Sequence, residues 1–213
     1  MADPFQFCSS AKLVELTGQR ARTVPELAEG IRALDDAVLF HHTHHFLLQH
    51  QYWLPEPTSD FAWWVAEILQ ERALGEDLAS INTVEFRSIH ELKERILAVI
   101  AAHAGDRTRT VEAPSGLEFH FLRTHSYVFP TDHRASTLAE FAGHLEKVSL
   151  QSIYHHVFEA RLRLSRATND FAWWFRDSLG EKELAVSVEH LDPYVFTLED
   201  LRARILQLVK RRL

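Results

Sequence analysis

Apolar and polar positions alternate briefly at two places, Phe5-Gln6-Phe7 and Phe119-His120-Phe121, and this period of two predicts a short strand with Phe on one face. A second extended piece is expected around Leu13-Val14 and around Tyr127-Val128-Phe129. The period then changes to that of a helix. Leu27, Ile31 and Leu34 form one apolar stripe, as do Phe141, Leu145 and Val148. Both stripes begin after Thr three residues before Glu, Thr23 to Glu26 and Thr137 to Glu140, which is the signature of a capping box.

Histidine-bearing helices are predicted next, from about residue 37 to 49 and from about 150 to 164. Ser59-Asp60 and Asn169-Asp170 cap the following helices. Phe61, Trp64, Val65 and Ile68 in one, and Phe171, Trp174, Phe175 and Ser178 in the other, have i, i+3, i+4, i+7 spacing. Short helices over 75–81 and 182–191 and longer ones over 88–102 and 197–211 complete each half. The expected fold is mainly α with minor β.

This order of elements runs twice. Residues 4–48 set against 118–162 without a gap bring together Phe5/Phe119, Phe7/Phe121, Arg20/Arg134, Thr23/Thr137, Glu26/Glu140, His41/His155 and His42/His156. The pentapeptide Asp-Phe-Ala-Trp-Trp recurs unchanged at 60–64 and 170–174. We therefore expect an internally duplicated helical domain: a first repeat over 1–104, a linker over 105–117 and a second repeat over 118–213, related by a pseudo-twofold.

Composition narrows the function classes. An apolar fraction of 46% and 14 Phe, 5 Trp and 4 Tyr exclude a disordered chain. Cys8 is the single cysteine, which rules out an internal disulfide framework and suits a reducing, cytoplasmic compartment. The opening Met-Ala-Asp-Pro-Phe has neither a basic region nor an apolar stretch, so no secretory signal is expected. A net charge of −7 argues against nucleic acid or an anionic membrane as the partner. Acidic side chains outnumber basic ones in the first half and balance them in the second, so the halves present different surfaces.

Candidate chemistry lies with the histidines. His41 and His45 are one helical turn apart, and the same frame in the second half reads His155 and Glu159. If the pseudo-twofold brings these helices together, the four side chains could converge on a transition metal such as Zn, Fe or Cu. Set beside this is a structural use of the shared residues, with His42 and His156 bonded to the helix-capping Asp60 and Asp170. The structural use carries more weight, because neither half contains the Glu-x-x-His of di-iron bundles.

Trp63 and Trp173 sit about 100° from the apolar stripe and are candidate partner- or ligand-binding residues, although packing of both Trp residues in each pair is the expected arrangement. Tyr52 and Trp53, in a proline-bounded insertion present only in the first half, form a further candidate contact site. Arg20 and Arg134 precede the capped helices and are candidate anion contacts, with a loop-fixing role favoured. Glycine-rich phosphate loops, Gly-x-Ser-x-Gly and His-Glu-x-x-His are absent from the sequence.

Thr137-Leu-Ala-Glu140, Tyr154-His155-His156, Asn169-Asp170-Phe171-Ala172-Trp173 and Leu184-Ala185 together resemble an uncharacterised prokaryotic domain family of unknown function. The first half departs at Phe40, Ser59 and Leu78-Ala79 but keeps His41-His42 and Asp60-Phe61-Ala62. The resemblance implies a cytoplasmic bacterial or archaeal protein and carries no activity or site residues with it. The reading that follows is a non-catalytic regulatory or interaction module binding a protein partner or small ligand; a homo-oligomer is compatible with the pattern. The alternative is a metal-binding protein, an oxidoreductase or hydrolase, with a His/Glu site between the repeats.

Overall fold

The computed structural model describes residues 3–45, 59–103, 111–163, 168–191 and 196–213. Two strands, β1 (Phe5–Ala21) and β2 (Phe119–Ala135), each run for 17 residues and pair as an antiparallel two-stranded sheet. This corrects the expectation of a mainly α fold. Strand makes up 19% of the structure, close to the roughly 20–25% of an average globular domain, so the fold is α and β together. The reason for the error lies in burial. Only the ends that carry Phe5, Phe7, Phe119 and Phe121 bury one face and show a period of two, whereas most of the remaining strand residues stay exposed or half-buried on both faces. A strand without a buried face leaves no alternation to read.

The helices follow in the order α1 (Val24–Ala33), α2 (Asp36–His44), α3 (Asp60–Trp63) continued by a π-helical turn (Trp64–Ile68), α4 (Arg72–Ala79) and α5 (Ile89–His103). After β2 come α6 (Leu138–Leu145), α7 (Leu150–Tyr154) continued by a π-helix (His155–Arg163), α8 (Asp170–Asp177), α9 (Lys182–Glu189) and α10 (Leu198–Lys210). Both capping boxes form. The hydroxyls of Thr23 and Thr137 accept the N–H of Glu26 and Glu140, and the two carboxylates reach back to the N–H groups of Arg22 and Ser136. Ser59 and Asn169 cap α3 and α8. The π turn after α3 moves the apolar stripe: the N–H of Leu69 bonds five residues back to the carbonyl of Trp64, and Leu69 is buried in place of the expected Ile68.

The described chain divides into two compact units. The first contains residues 3–12 and those from 126 onward; the second contains 13–45 and those from 59 to 125. In the first unit the N-terminal Phe5 and Phe7 pack on helices drawn from the second half of the sequence. Phe5 lies 5.8 Å from Phe141, 5.5 Å from Phe171 and 5.5 Å from Trp174, ring centre to ring centre. The indole N–H of Trp174 donates to the carbonyl of Asp3 at 2.8 Å. The second unit repeats the arrangement with the opposite parentage: Phe119 lies 5.3 Å from Phe61 and 5.6 Å from Trp64, whose indole donates to Leu117 at 2.8 Å. Aromatic rings dominate both cores, as their large apolar area dictates.

Close packing makes Gly30 of α1 a required residue. A Cβ there would overlap the tip of the Phe121 ring, which is itself buried. Gly30→Ala should therefore cost about 1–3 kcal/mol through overpacking. Gly143 of α6, with open space around its own Cβ position, should gain about 0.5–1 kcal/mol from the same change through lower chain entropy. Urea unfolding of the two variants gives opposite shifts of midpoint, and equal shifts would contradict the packing at Gly30.

Candidate functional site

The histidines divide into two groups with different surroundings. His42 on α2 and His156 on the π-helix after α7 each bridge a helix N-terminus and a strand. Nδ1 of His42 lies 2.8 Å from Oδ2 of Asp60, and its Nε2 accepts the backbone N–H of Leu122 at 2.9 Å. Nδ1 of His156 lies 2.9 Å from Oδ2 of Asp170, and its Nε2 accepts the N–H of Cys8 at 2.8 Å. A backbone N–H can only donate, so each Nε2 is the acceptor and the proton sits on Nδ1, pointing at the carboxylate. Both nitrogens of both rings are used in this way. Asp60 and Asp170 are the first residues of α3 and α8, where the helix dipole favours a negative charge.

Glu159 is a heavily bonded carboxylate of the first unit, with only 2% of its surface exposed. Its Oε1 accepts from the Ser126 hydroxyl at 2.5 Å and faces Nζ of Lys12 at 3.3 Å. Its Oε2 accepts from the Ser10 hydroxyl at 3.1 Å and from Nδ1 of His155 at 2.9 Å. Ser10 in turn accepts from Gln151 at 3.0 Å, and Nζ of Lys12 lies 3.7 Å from the centre of the Tyr154 ring. Burial alone would push the Glu159 carboxyl upward; the His155 hydrogen bond, the Lys12 charge and the Ser126 hydroxyl outweigh it and hold the group at about 2. Three hydrogen bonds and the Lys12 ion pair surround this carboxylate.

In the second unit, Nδ1 of His41 lies 2.7 Å from the Thr124 hydroxyl, and the His41 and His45 rings stack at 4.6 Å. His44 stacks on Phe40 at 5.0 Å and meets the Thr43 hydroxyl at 2.6 Å. Of the four metal ligands expected from the sequence, His41 and His45 thus belong to this unit, and His155 and Glu159 to the first. Two other groupings have ligand atoms within 4.8 Å of one another and could hold a metal ion: His41, His42 and Asp60, and His155, His156 and Asp170. In each, an ion would have to displace the hydrogen bonds that His42 and His156 already make to carboxylate and strand.

Trp64 and Trp174 are buried, while Trp63 and Trp173 are each 48% exposed. The expectation that all four Trp residues pack is not met. Their position about 100° from the buried stripe carries the first Trp of each pair toward solvent. Arg20 and Arg134 lie exposed near the ends of β1 and β2. Tyr52 and Trp53 fall outside the described residues. Burial and the nearby Asp170 charge push the Cys8 thiol upward, away from the thiolate form a nucleophile needs.

Reading by sequence missed Ser10, Lys12, Ser126 and Gln151. The first three lie on strand segments with no alternating signal, and nothing in their spacing links them to Glu159 more than a hundred residues away or on a different element. Also missed was a contact in the first unit between His133 on β2 and His144 on α6.

No helix among the described residues is long and apolar enough to cross a membrane. Comparison with curated proteins finds no match. The chain is similar to a solved structure described as the structure of OrfY from Thermoproteus tenax, with a TM-score of 0.87 and 31% identity over 98% of this chain and 95% of that one. A match to the family of unknown function DUF5752 spans residues 2–210. With nearly its whole length covered by that match, the chain belongs to the DUF5752 family.

Proposed function

We propose that this protein is a non-catalytic interaction module that docks a protein partner through Trp63 and Trp173. The observation that carries this reading is the half-exposure of these two side chains on capped helices, one in each unit, beside a neighbouring Trp that is buried. A Trp held by a rigid backbone offers a large contact area at little entropic cost, and Trp is enriched among the residues that dominate binding energy. Exposed apolar strand residues add to the available surface: Leu13, Val14 and Leu16 in the second unit, and Tyr127, Val128 and Phe129 in the first.

The polar side chains point the same way. Glu159, His42 and His156 have their acceptor and donor positions filled by neighbouring protein groups, which is the condition of scaffold rather than of a reacting centre. The single Cys8 fits a reducing, cytoplasmic setting.

The test compares the wild type with a Trp63→Ala/Trp173→Ala double variant of unchanged melting temperature. Partners captured by the wild type from cells are identified by mass spectrometry and the complex is rebuilt from purified components. Loss of an anchoring Trp typically costs about 2 kcal/mol or more, so binding by the double variant should weaken about 30-fold or more. A rebuilt complex of equal affinity, or no partner that depends on either Trp, would sink the reading.

A further inference from the structure

Within the first unit, two histidines from different elements meet nitrogen to nitrogen. His133 lies on β2 and His144 on α6, with their Nδ1 atoms 3.0 Å apart and their ring centres 5.0 Å apart. An imidazole nitrogen without hydrogen carries an in-plane lone pair, so two such atoms at this distance need a proton or a cation between them. Their positions are set by the fold. The His133 N–H donates to the Thr131 hydroxyl at 3.3 Å, and its carbonyl accepts from Gln6 at 3.2 Å. The His144 carbonyl accepts the N–H groups of Lys147 and Val148 at the end of α6, and its ring lies 6.2 Å from Phe7. Both residues are half-buried, open enough for an ion to reach them. The C-terminal end of α6 adds a local field that favours positive charge.

We propose that His133 and His144 chelate a divalent copper ion through their two Nδ1 atoms. With metal–nitrogen bonds of about 2.0–2.1 Å, an N···N separation of 3.0 Å closes an angle of about 95° at the metal. That is the cis angle of a square-planar or octahedral centre, whereas tetrahedral zinc spreads its ligands to about 3.3 Å. Nitrogen ligands at right angles suit Cu(II), which also heads the affinity order of the divalent first-row ions. Water completes the coordination. The pair is separate from His41, His45, His155 and Glu159.

The test titrates copper(II) chloride into untagged, metal-stripped protein by calorimetry, with electron paramagnetic resonance at one equivalent. His133→Gln and His144→Gln should each weaken the tightest equivalent by about tenfold or more, while His190→Gln, at an exposed histidine on another element, should leave it unchanged. Spin-echo modulation of the wild type should show two coupled imidazoles, a readout that does not depend on how the variants fold. A first equivalent with one imidazole or none, or one equally tight in both Gln variants, overturns the proposal.

Discussion

Glu159→Ala should lower the stability of the protein by about 3–5 kcal/mol, the usual cost of removing one partner from a buried ion pair. The cause is specific. Ser10, Ser126 and His155 donate to this one carboxylate and the Lys12 ammonium faces it as an ion pair, and the substitution takes away their common partner in a buried setting. Glu159→Gln keeps the shape but replaces an oxygen that accepts two donors with an amide that donates, so it should recover only a minor part of the loss. Chemical unfolding with unchanged denaturant dependence measures both. A loss below about 1 kcal/mol for the Ala variant would mean that these four neighbours do not depend on this carboxylate.

The same group makes stability depend on pH. Its carboxyl is held at about 2 in the folded state against 4.5 in a free chain. The folded-state value is the lower one, so the unfolded chain binds the proton first, and the contribution is complete above pH 4.5 and lost as pH falls toward 2. A difference of this size corresponds to about 3 kcal/mol. The wild type should therefore lose more stability than Glu159→Gln between pH 5 and pH 2. Parallel curves for the two proteins would contradict this assignment.

Adjacent tryptophans should respond to the same substitution in opposite ways. Trp174 is 2% exposed, stacks on Phe141 at 5.6 Å, and donates its indole N–H to Asp3. Trp174→Ala leaves a cavity and removes the bond to Asp3, at a cost of about 3–5 kcal/mol. Trp173, next to it, is 48% exposed. Trp173→Ala should change stability by no more than about 0.5 kcal/mol, and its effect should appear in partner binding instead. Thermal or urea unfolding of the two variants checks the contrast. A large loss for Trp173→Ala would show that this side chain packs after all, and would remove the basis for a docking role.

Much of the helical structure is legible in the residues themselves. Thr23 with Glu26, Thr137 with Glu140, Ser59 and Asn169 mark helix starts through local bonds that need no distant partner. The long helices over Ile89–His103 and Leu198–Lys210 follow from apolar residues spaced three and four apart. The strands were legible as short pieces, at Phe5-Phe7 and Phe119-Phe121, where one face is buried, and around Leu13-Val14 and Tyr127-Phe129, but not as two continuous strands of 17 residues. Thr17 and Thr131 tie the strands through side-chain bonds to Phe121 and Phe7, at distances of 2.8 Å in both cases. No local pattern encodes such pairings.

By itself, then, the sequence determined where helices begin, which residues are apolar enough for a core, and which residue types recur between its halves, because capping and periodicity are set by neighbours within a few positions. Tertiary structure decided which strand completes which core: Phe5 and Phe7 join Phe141, Phe171 and Trp174, while Phe119 and Phe121 belong with the helices of the first half. It also decided that His42 and His156 bind strand N–H groups and that Glu159 is met by the Ser10 and Ser126 hydroxyls and the Lys12 charge. These are contacts between residues far apart in the chain, formed because a buried polar atom must find a partner wherever the fold brings one within reach.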